Sequence, residues 1–103
     1  MTPKEIFAEV NTQIQGNAED VKNNIDGIFK FIVNGDNGGT WLVDCRDVEV
    51  REGDGDADCT ITVEAPDFIA IKDGSMDAME AFMMGKIIVD GDMGLAMKLQ
   101  EIL

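Results

Sequence analysis

The most informative part of the sequence is residues 81–103, AFMMGKIIVDGDMGLAMKLQEIL. Gly85 is predicted to end a short apolar helix, and residues 86–90 are rich enough in β-branched side chains to form a strand. Gly91 and Asp92 then make a tight turn into a last helix, with Asp92 as its N-cap. This stretch therefore predicts helix, strand and helix in close succession, and the rest of the chain has to pack around them.

The last helix is predicted to have an apolar face and an additional apolar flank. At about 100° per residue, a stripe about 120° wide holds its core residues, which are Leu95, Ala96, Leu99, Ile102 and Leu103. Met93 and Met97 fall outside that stripe, one turn apart. Unbranched, polarizable methionine side chains tolerate irregular or changing partners better than leucine does. The two methionines are therefore either ordinary core residues or part of a surface that receives something apolar.

The chain is predicted to begin with an amphipathic helix. Thr2 and Glu5 have the spacing of a capping box, with Pro3 at the first helical position. Apolar residues then recur at helical spacing until Gly16, which closes the helix. Residues 17–24 are mainly polar and are expected to form a connection with at most one helical turn.

Alternating apolar and polar residues predict a sheet in the middle of the chain. The expected strands are residues 25–34, 40–46, 48–50, 58–64 and 86–90. A glycine-rich turn at residues 35–39 should make the first two strands antiparallel. Two helices, from Pro66 to Gly74 and from Asp77 to Met84, are expected to cross over the sheet before the last strand.

Several stretches together resemble one known family. They are Ala81–Lys86, Gly91–Gln100, Trp41–Asp44, and Ala57–Thr62 followed by Asp67 and Phe68. Taken in their order along the chain, they are similar to the sterol carrier protein domain, also called nonspecific lipid-transfer protein, over nearly the whole chain. The resemblance implies that residues 1–103 form one α+β domain. Its five-stranded, mostly antiparallel sheet would carry helices packed on one face, with an apolar tunnel between sheet and helices.

The resemblance also implies a ligand and a site. The family's tunnel accepts sterols, fatty acids and acyl-CoAs, so the expected partner is a lipid or another apolar small molecule, held in a tunnel that the C-terminal helix closes. Carried onto this chain, the tunnel would be lined by Phe31, Trp41, Ile61, Phe68, Ile71, Phe82, Met83, Met93 and Met97. The inward phase of the strands agrees for the first three. Without the resemblance the same residues would be read as a solid core, so a non-catalytic accessory or protein-interaction module is the alternative.

Charge and composition restrict the partners and the location. The formal net charge of −13 repels phosphate backbones, so nucleic acid is not expected. No apolar run is longer than four residues, so a transmembrane segment is not expected, whereas transient membrane contact remains open. The N-terminus lacks a secretory pattern, and Glu101–Leu103 is not the small-basic-Leu peroxisomal address, so a cytoplasmic location is expected.

Residues suited to catalysis or metal binding are scarce. The chain has no histidine, no tyrosine and a single serine, so it lacks a nucleophile with a base and is not expected to be an enzyme. Cys45 and Cys59 have neither C-x-x-C spacing nor histidine partners, and are expected to be buried thiols. Residues 54–58 imitate the start of a calcium loop, but Cys59 and Ala65 occupy the positions of its glycine and glutamate. They are expected to form a solvated turn, with weak divalent binding as the alternative, so no metal or cofactor is predicted.

Overall fold

The computed structural model describes residues 1–102 and shows a five-stranded sheet with helices on one face. The helices are α1 (Pro3–Gly16), α2 (Ala18–Asn24), α3 (Ala65–Asp73), α4 (Ala78–Met83) and α5 (Met93–Ala96), followed by a 3₁₀ turn at Leu99–Glu101. The strands are β1 (Ile28–Asn34), β2 (Gly39–Asp44), β3 (Glu49–Glu52), β4 (Cys59–Glu64) and β5 (Ile87–Gly91). No helix in residues 1–102 combines the length and the apolarity that crossing a bilayer requires.

The strand order is β3-β2-β1-β4-β5. β1 and β4 pair in parallel, and the other three neighbouring pairs are antiparallel. Phe31 on the central strand faces Trp41 on one side and Ile61 on the other. These observations confirm the predicted α+β class and the mostly antiparallel sheet.

The acidic loop of residues 53–58 crosses the face of the sheet opposite the helices. Lys30 Nζ lies 2.8 Å from Asp54 Oδ1, so the loop is tied to the central strand by an ion pair. Gly55 approaches Leu42 so closely that a Cβ there would lie 2.8 Å from Leu42 Cδ1. The loop thereby carries the chain from the β3 edge to the far side of β1, where β4 begins.

The core lies between the sheet and the helices α1 and α3. The Phe7 ring stacks on Trp41 at a centroid distance of 4.6 Å and on Phe68 at 5.1 Å, and it meets Phe31 edge-on at 5.2 Å. All four rings are at most 4% exposed. Such aromatic pairs contribute about 0.5–1.5 kcal/mol each beyond the burial of their area. Phe7 therefore fills the middle of the space between the sheet and α3.

The segment before β1 differs from the sequence prediction. Residues 18–24 form helix α2 instead of a polar connection, and β1 begins at Ile28 instead of Ile25. Val21 and Ile25 are both buried in the core cluster. Packing of these two apolar side chains therefore holds a helix that the polar composition of the segment did not indicate, because tertiary contacts override weak local propensity.

The end of the chain is also less helical than predicted. After α5 the backbone hydrogen bonds join residues three apart, with Lys98 N donating to Leu95 O and Ile102 N donating to Leu99 O. Residues three apart lie on the same side of such a 3₁₀ turn, so Leu99 and Ile102 both face the core. The predicted core stripe is confirmed for these two residues and Leu95, whereas Leu103 lies outside the described residues.

Candidate functional site

An apolar cleft of about 300 Å³ opens between α4, β5 and α5. It is lined by Ala78, Met79, Phe82, Ile87, Val89, Met93, Ala96, Met97 and Leu99. Ile87 and Leu99 are buried, whereas Met79 and Met93 are each 50% exposed and Met97 is 76% exposed. The cleft therefore has a fixed floor and a rim of methionine side chains whose unbranched chains adapt to different partners.

Local hydrogen bonds position α4 and β5 around this cleft. Asp77 Oδ1 accepts a hydrogen bond of 2.7 Å from Met79 N and so caps the start of α4. Lys86 N donates to Ala81 O at 2.8 Å, which joins the end of α4 directly to the strand. Antiparallel pairing with β4 then puts Ile87 and Val89 on the helix-covered face of the sheet. Residues of both elements consequently meet at the cleft.

The position of α5 is fixed from its buried side. Gly91, two residues before α5, has a φ of +113°. A Cβ atom added to this glycine would lie 2.5 Å from Asp58 O. Asp58 O also accepts from Asp92 N at 2.9 Å, and Asp92 Oδ1 caps the helix by accepting from Leu95 N at 3.0 Å. Leu95 packs over Gly27, where a Cβ would lie 2.6 Å from Leu95 Cδ2. These contacts leave the two methionines of this segment facing the cleft.

The structure brings three of the nine predicted site residues together, because Phe82, Met93 and Met97 all line the cleft. Ile71 lines an adjoining cavity, and Met83 is 78% exposed. The other four lie in the core and are at most 4% exposed; they are Phe31, Trp41, Ile61 and Phe68.

Six cleft residues were absent from the predicted lining, namely Ala78, Met79, Ile87, Val89, Ala96 and Leu99. The two β5 residues have the inward phase of the strand, and Met79 lies one helical turn before Phe82. Their spacing could therefore have identified them. The position of Phe7, whose ring occupies the space beside the central strands, could not be read from a linear pattern.

A second cavity, of about 340 Å³, adjoins the cleft and shares Ala78 and Leu99 with it. Its remaining lining is Ile71, Lys72, Gly74, Met76 and Asp77. The Lys72 side chain is only 19% exposed, and its Nζ lies 3.9 Å from Glu9 Oε2. A cavity with one cationic and one anionic side chain thus opens beside the apolar cleft.

The acidic cluster of Asp44, Asp47 and Glu49 has a structural role. Their carboxylate oxygens lie within 4.8 Å of one another. Asp44 Oδ1 accepts from the backbone N–H groups of Arg46 and Asp47, both at 2.9 Å, which holds the turn after β2. Arg51 forms ion pairs with Asp44 and Glu49. Arg51 therefore contacts two of the three carboxylates, and its single positive charge offsets one of the three negative charges.

Cys45 and Cys59 are free, buried thiols, as the sequence predicted. Burial, followed by the charge of Asp44, raises the pKa of Cys45 from 9.0 to about 11. Burial is also the main reason why the pKa of Cys59 is raised. Because the thiolate is the nucleophilic form, both cysteines are poor nucleophiles near neutral pH.

The fold and the cleft define an α+β domain with an open apolar site beside its edge strand β5. Residues 4–103 match the model of the SCP-2 sterol transfer family. The chain belongs to this family, which confirms the resemblance identified in the sequence.

Curated relatives are similar over a short part of their own length. Sterol carrier protein 2 of Homo sapiens is 39% identical over 103 residues, which cover 94% of this chain and 19% of that protein. Hydroxysteroid dehydrogenase-like protein 2 of Xenopus tropicalis is 36% identical over 104 residues, which cover 97% of this chain and 24% of that protein. The chain therefore spans about a fifth to a quarter of the length of these relatives.

Solved structures share the fold over almost the whole chain. Palmitated SCP2L2 from Aedes aegypti has a TM-score of 0.85 and 27% identity, and the match covers 99% of this chain and 94% of that chain. AeSCP-2 from Aedes aegypti, solved in complex with the C16 fatty acid palmitate, has a TM-score of 0.69 and 27% identity, with 94% and 89% covered.

Proposed function

We propose that this domain binds and transfers lipids such as sterols, fatty acids or acyl-CoAs, with the apolar part of the ligand in the cleft between α4, β5 and α5. The observation that carries the proposal is the cleft itself, whose nine lining residues are all apolar and enclose about 300 Å³. This volume is at the low end of the range for small-molecule sites, about 300–1,000 Å³. The palmitate-bound relatives of the same fold support a fatty acid as the simplest ligand.

The C-terminal segment is proposed to close over the ligand. Met93 and Met97 border the cleft from this segment and are well exposed. Burying their side chains against an acyl chain would contribute favourable free energy at about 25 cal/mol per Å² of apolar area. Closure therefore requires rearrangement of two flexible side chains rather than movement of the core.

The nine predicted site residues take different parts in this proposal. Phe82, Met93 and Met97 contact the ligand in the cleft, Ile71 contacts it in the adjoining cavity, and Met83 lies at the surface nearby. Phe31, Trp41 and Phe68 would contact a ligand only if their rings separated from Phe7. Ile61 is buried in the sheet between Phe31 and Val89.

The proposed partners are a lipid and, transiently, a neutral membrane surface or a protein in the cytoplasm. A net charge of −13 opposes contact with nucleic acid and with anionic headgroups. The exposed side chains of Met79, Met83 and Met97 offer apolar contacts near the cleft. No catalytic step is included, since the cleft lining has no acid, base or nucleophile.

The proposal is tested by changing one cleft residue to a charged one. Met97→Glu would put a carboxylate where the ligand is to be buried, so affinity for a fluorescent fatty acid should fall at least about tenfold while the fold is retained. Met84→Glu is the matched control, because Met84 is 68% exposed and does not line the cleft. If Met97→Glu binds like the parent, the cleft is not the site, and if it unfolds, Met97 is a structural residue.

The second candidate is a non-catalytic accessory or protein-interaction module with a filled core. The aromatic packing of Phe7 with Trp41, Phe68 and Phe31 favours it, because this part of the space between sheet and helices is already occupied. Mass spectrometry of organic extracts from the purified protein separates the two candidates. Retained host lipid supports the carrier, and extracts free of lipid together with no uptake of added lipid support the filled module.

A further inference from the structure

The apolar cleft and the second cavity are neighbours. They share Ala78 and Leu99, and they differ in chemistry, since the cleft has an apolar lining and the second cavity includes Lys72 and Asp77. A ligand that extends out of the cleft past Ala78 and Leu99 would therefore meet a polar environment. This arrangement suits a molecule with an apolar chain and a polar head.

Lys72 is the cationic side chain at the polar end. Its side chain is 19% exposed. Among the described residues it forms an ion pair with Glu9, and the long distance of 3.9 Å between Lys72 Nζ and Glu9 Oε2 makes this pair weak. Glu9 is itself 53% exposed, and exposed ion pairs contribute about 0–1 kcal/mol. Most of the Lys72 side chain is thus covered by its neighbours, and its ammonium group has no anionic partner closer than 3.9 Å in residues 1–102.

Asp77 contributes the opposite charge to the same cavity but is already engaged. Its Oδ1 accepts the capping hydrogen bond from Met79 N at 2.7 Å. Its negative charge disfavours a multiply charged head group such as a phosphate, while one ammonium group matches one carboxylate. A hydrogen bond between an ammonium and a carboxylate is among the strong ones in proteins, particularly where water is partly excluded.

We propose that Lys72 binds the carboxylate of a long-chain fatty acid whose chain lies in the apolar cleft. The inference rests on the proposed function and adds the orientation of the ligand, with its head in the cavity beside α3 and its tail toward Met93 and Met97. It also adds a preference for a singly charged head over a neutral or a doubly charged one. The carboxylate of the fatty acid then gives the Lys72 ammonium group a closer anionic partner than Glu9, which lies 3.9 Å away.

The test compares palmitate with hexadecanol, which has the same chain length and no charge. Equilibrium dialysis with the two radiolabelled lipids measures both affinities for the parent, for Lys72→Met and for Lys22→Met. Lys22 is exposed on α2, so its variant makes the same change in net charge away from the site. Lys72→Met should weaken palmitate binding roughly tenfold, which corresponds to about 1.4 kcal/mol, and should leave hexadecanol binding within about twofold.

A second variant, Glu9→Gln, tests Lys72 by removing the charge of its ion-pair partner. Without its distant carboxylate partner Lys72 is free for the ligand, so palmitate affinity should stay equal or rise while hexadecanol affinity stays equal. Hexadecanol binding by each variant also shows that its cleft is folded.

The outcomes separate this inference from the proposed function. Equal palmitate affinity in the parent and in Lys72→Met, with both lipids bound, overturns the role of Lys72 and leaves the carrier function standing. Tighter binding of hexadecyl phosphate than of palmitate overturns the choice of a carboxylate. Failure of the parent protein to bind either palmitate or hexadecanol overturns the proposed function itself.

Discussion

Gly91 lies where the edge strand β5, the acidic loop of residues 53–58 and the segment after β5 meet. Residues with a side chain rarely adopt its φ of +113°, and a Cβ atom added to Gly91 would lie 2.5 Å from the carbonyl oxygen of Asp58. The same oxygen accepts the hydrogen bond from Asp92 N. A larger residue would therefore strain the backbone and displace the contact that starts α5.

We expect Gly91→Ala to lower the free energy of unfolding by at least about 2 kcal/mol, because it combines an unfavourable φ with a steric clash. Gly16→Ala is the control, since a Cβ at the end of α1 would have no neighbour within 4 Å. Alanine is the better helix former, so this variant should be as stable as the parent or slightly more stable. Urea unfolding followed by circular dichroism measures both, and equal midpoints for the two variants would contradict the role given to Gly91.

Single residues also mark the limit of prediction from sequence. Gly91 and Asp92 were predicted to form the turn and the cap, and both roles appear in the structure. Contact of Gly91 with Asp58 could not be predicted, because it depends on the crossing loop that brings two distant segments together. In the same way, the sequence placed Phe82, Met93 and Met97 in the predicted site, and the structure brings these three to one cleft. The sequence gave no sign that Phe7 reaches Trp41 and Phe68.

At the scale of elements, the segment after β5 has little stability of its own. α5 has four residues and the following 3₁₀ turn has three, far below the length at which an isolated helix is stable in water, about 12–15 residues. The segment is held by the burial of Leu95, Leu99 and Ile102 and by the cap at Asp92. Its opening is therefore expected to cost less free energy than opening of α1 or the sheet.

We expect amides of residues 93–102 to exchange quickly in lipid-free protein and more slowly with palmitate bound, because the ligand adds contacts to Met93 and Met97. Hydrogen–deuterium exchange measures this, with the amides of α1 as the internal control that should change little. The melting temperature should rise with ligand concentration, as mass action requires. Identical exchange of residues 93–102 with and without lipid, at an unchanged melting temperature, would favour the filled module.

Strands were easier to predict than the short helices, for a physical reason. β1 and β4 each bury alternate residues against the helices, so the period of two is visible in the sequence. α2 and the 3₁₀ turn depend on contacts made by one or two apolar residues each, and such contacts leave no periodic pattern. Sequence therefore identified the sheet and missed both α2 and the 3₁₀ turn after α5.

At the scale of the whole molecule, the surface is strongly acidic, with 21 Asp and Glu against 8 Lys and Arg. Ion pairs involve part of the basic side chains, including Lys30, Arg46 and Arg51. The remaining field opposes approach to any anionic surface over a distance that salt controls, since the Debye length falls from about 30 Å at 0.01 M to about 10 Å at 0.1 M.

We expect lipid transfer to anionic vesicles to be slow at low ionic strength and to accelerate as salt is added, because screening weakens the repulsion. Transfer to neutral phosphatidylcholine vesicles is the control and should depend little on salt. A stopped-flow assay with a fluorescent fatty acid measures both rates. Faster transfer to anionic vesicles at low salt would show instead that a local group of lysines outweighs the net charge.

The parallel pairing of β1 with β4 also sets an order in which the parts of this domain can form during synthesis on the ribosome. Phe29 and Phe31 emerge early, but their partners Cys59 and Ile61 are translated only after the hairpin of β2 and β3 and the crossing loop. Until then one edge of the central strand has no neighbour. The cleft needs β5 and the segment after it, so it cannot form until both have followed β4 out of the ribosome. A truncated product that ends before β4 consequently lacks both a finished sheet and a place for a ligand.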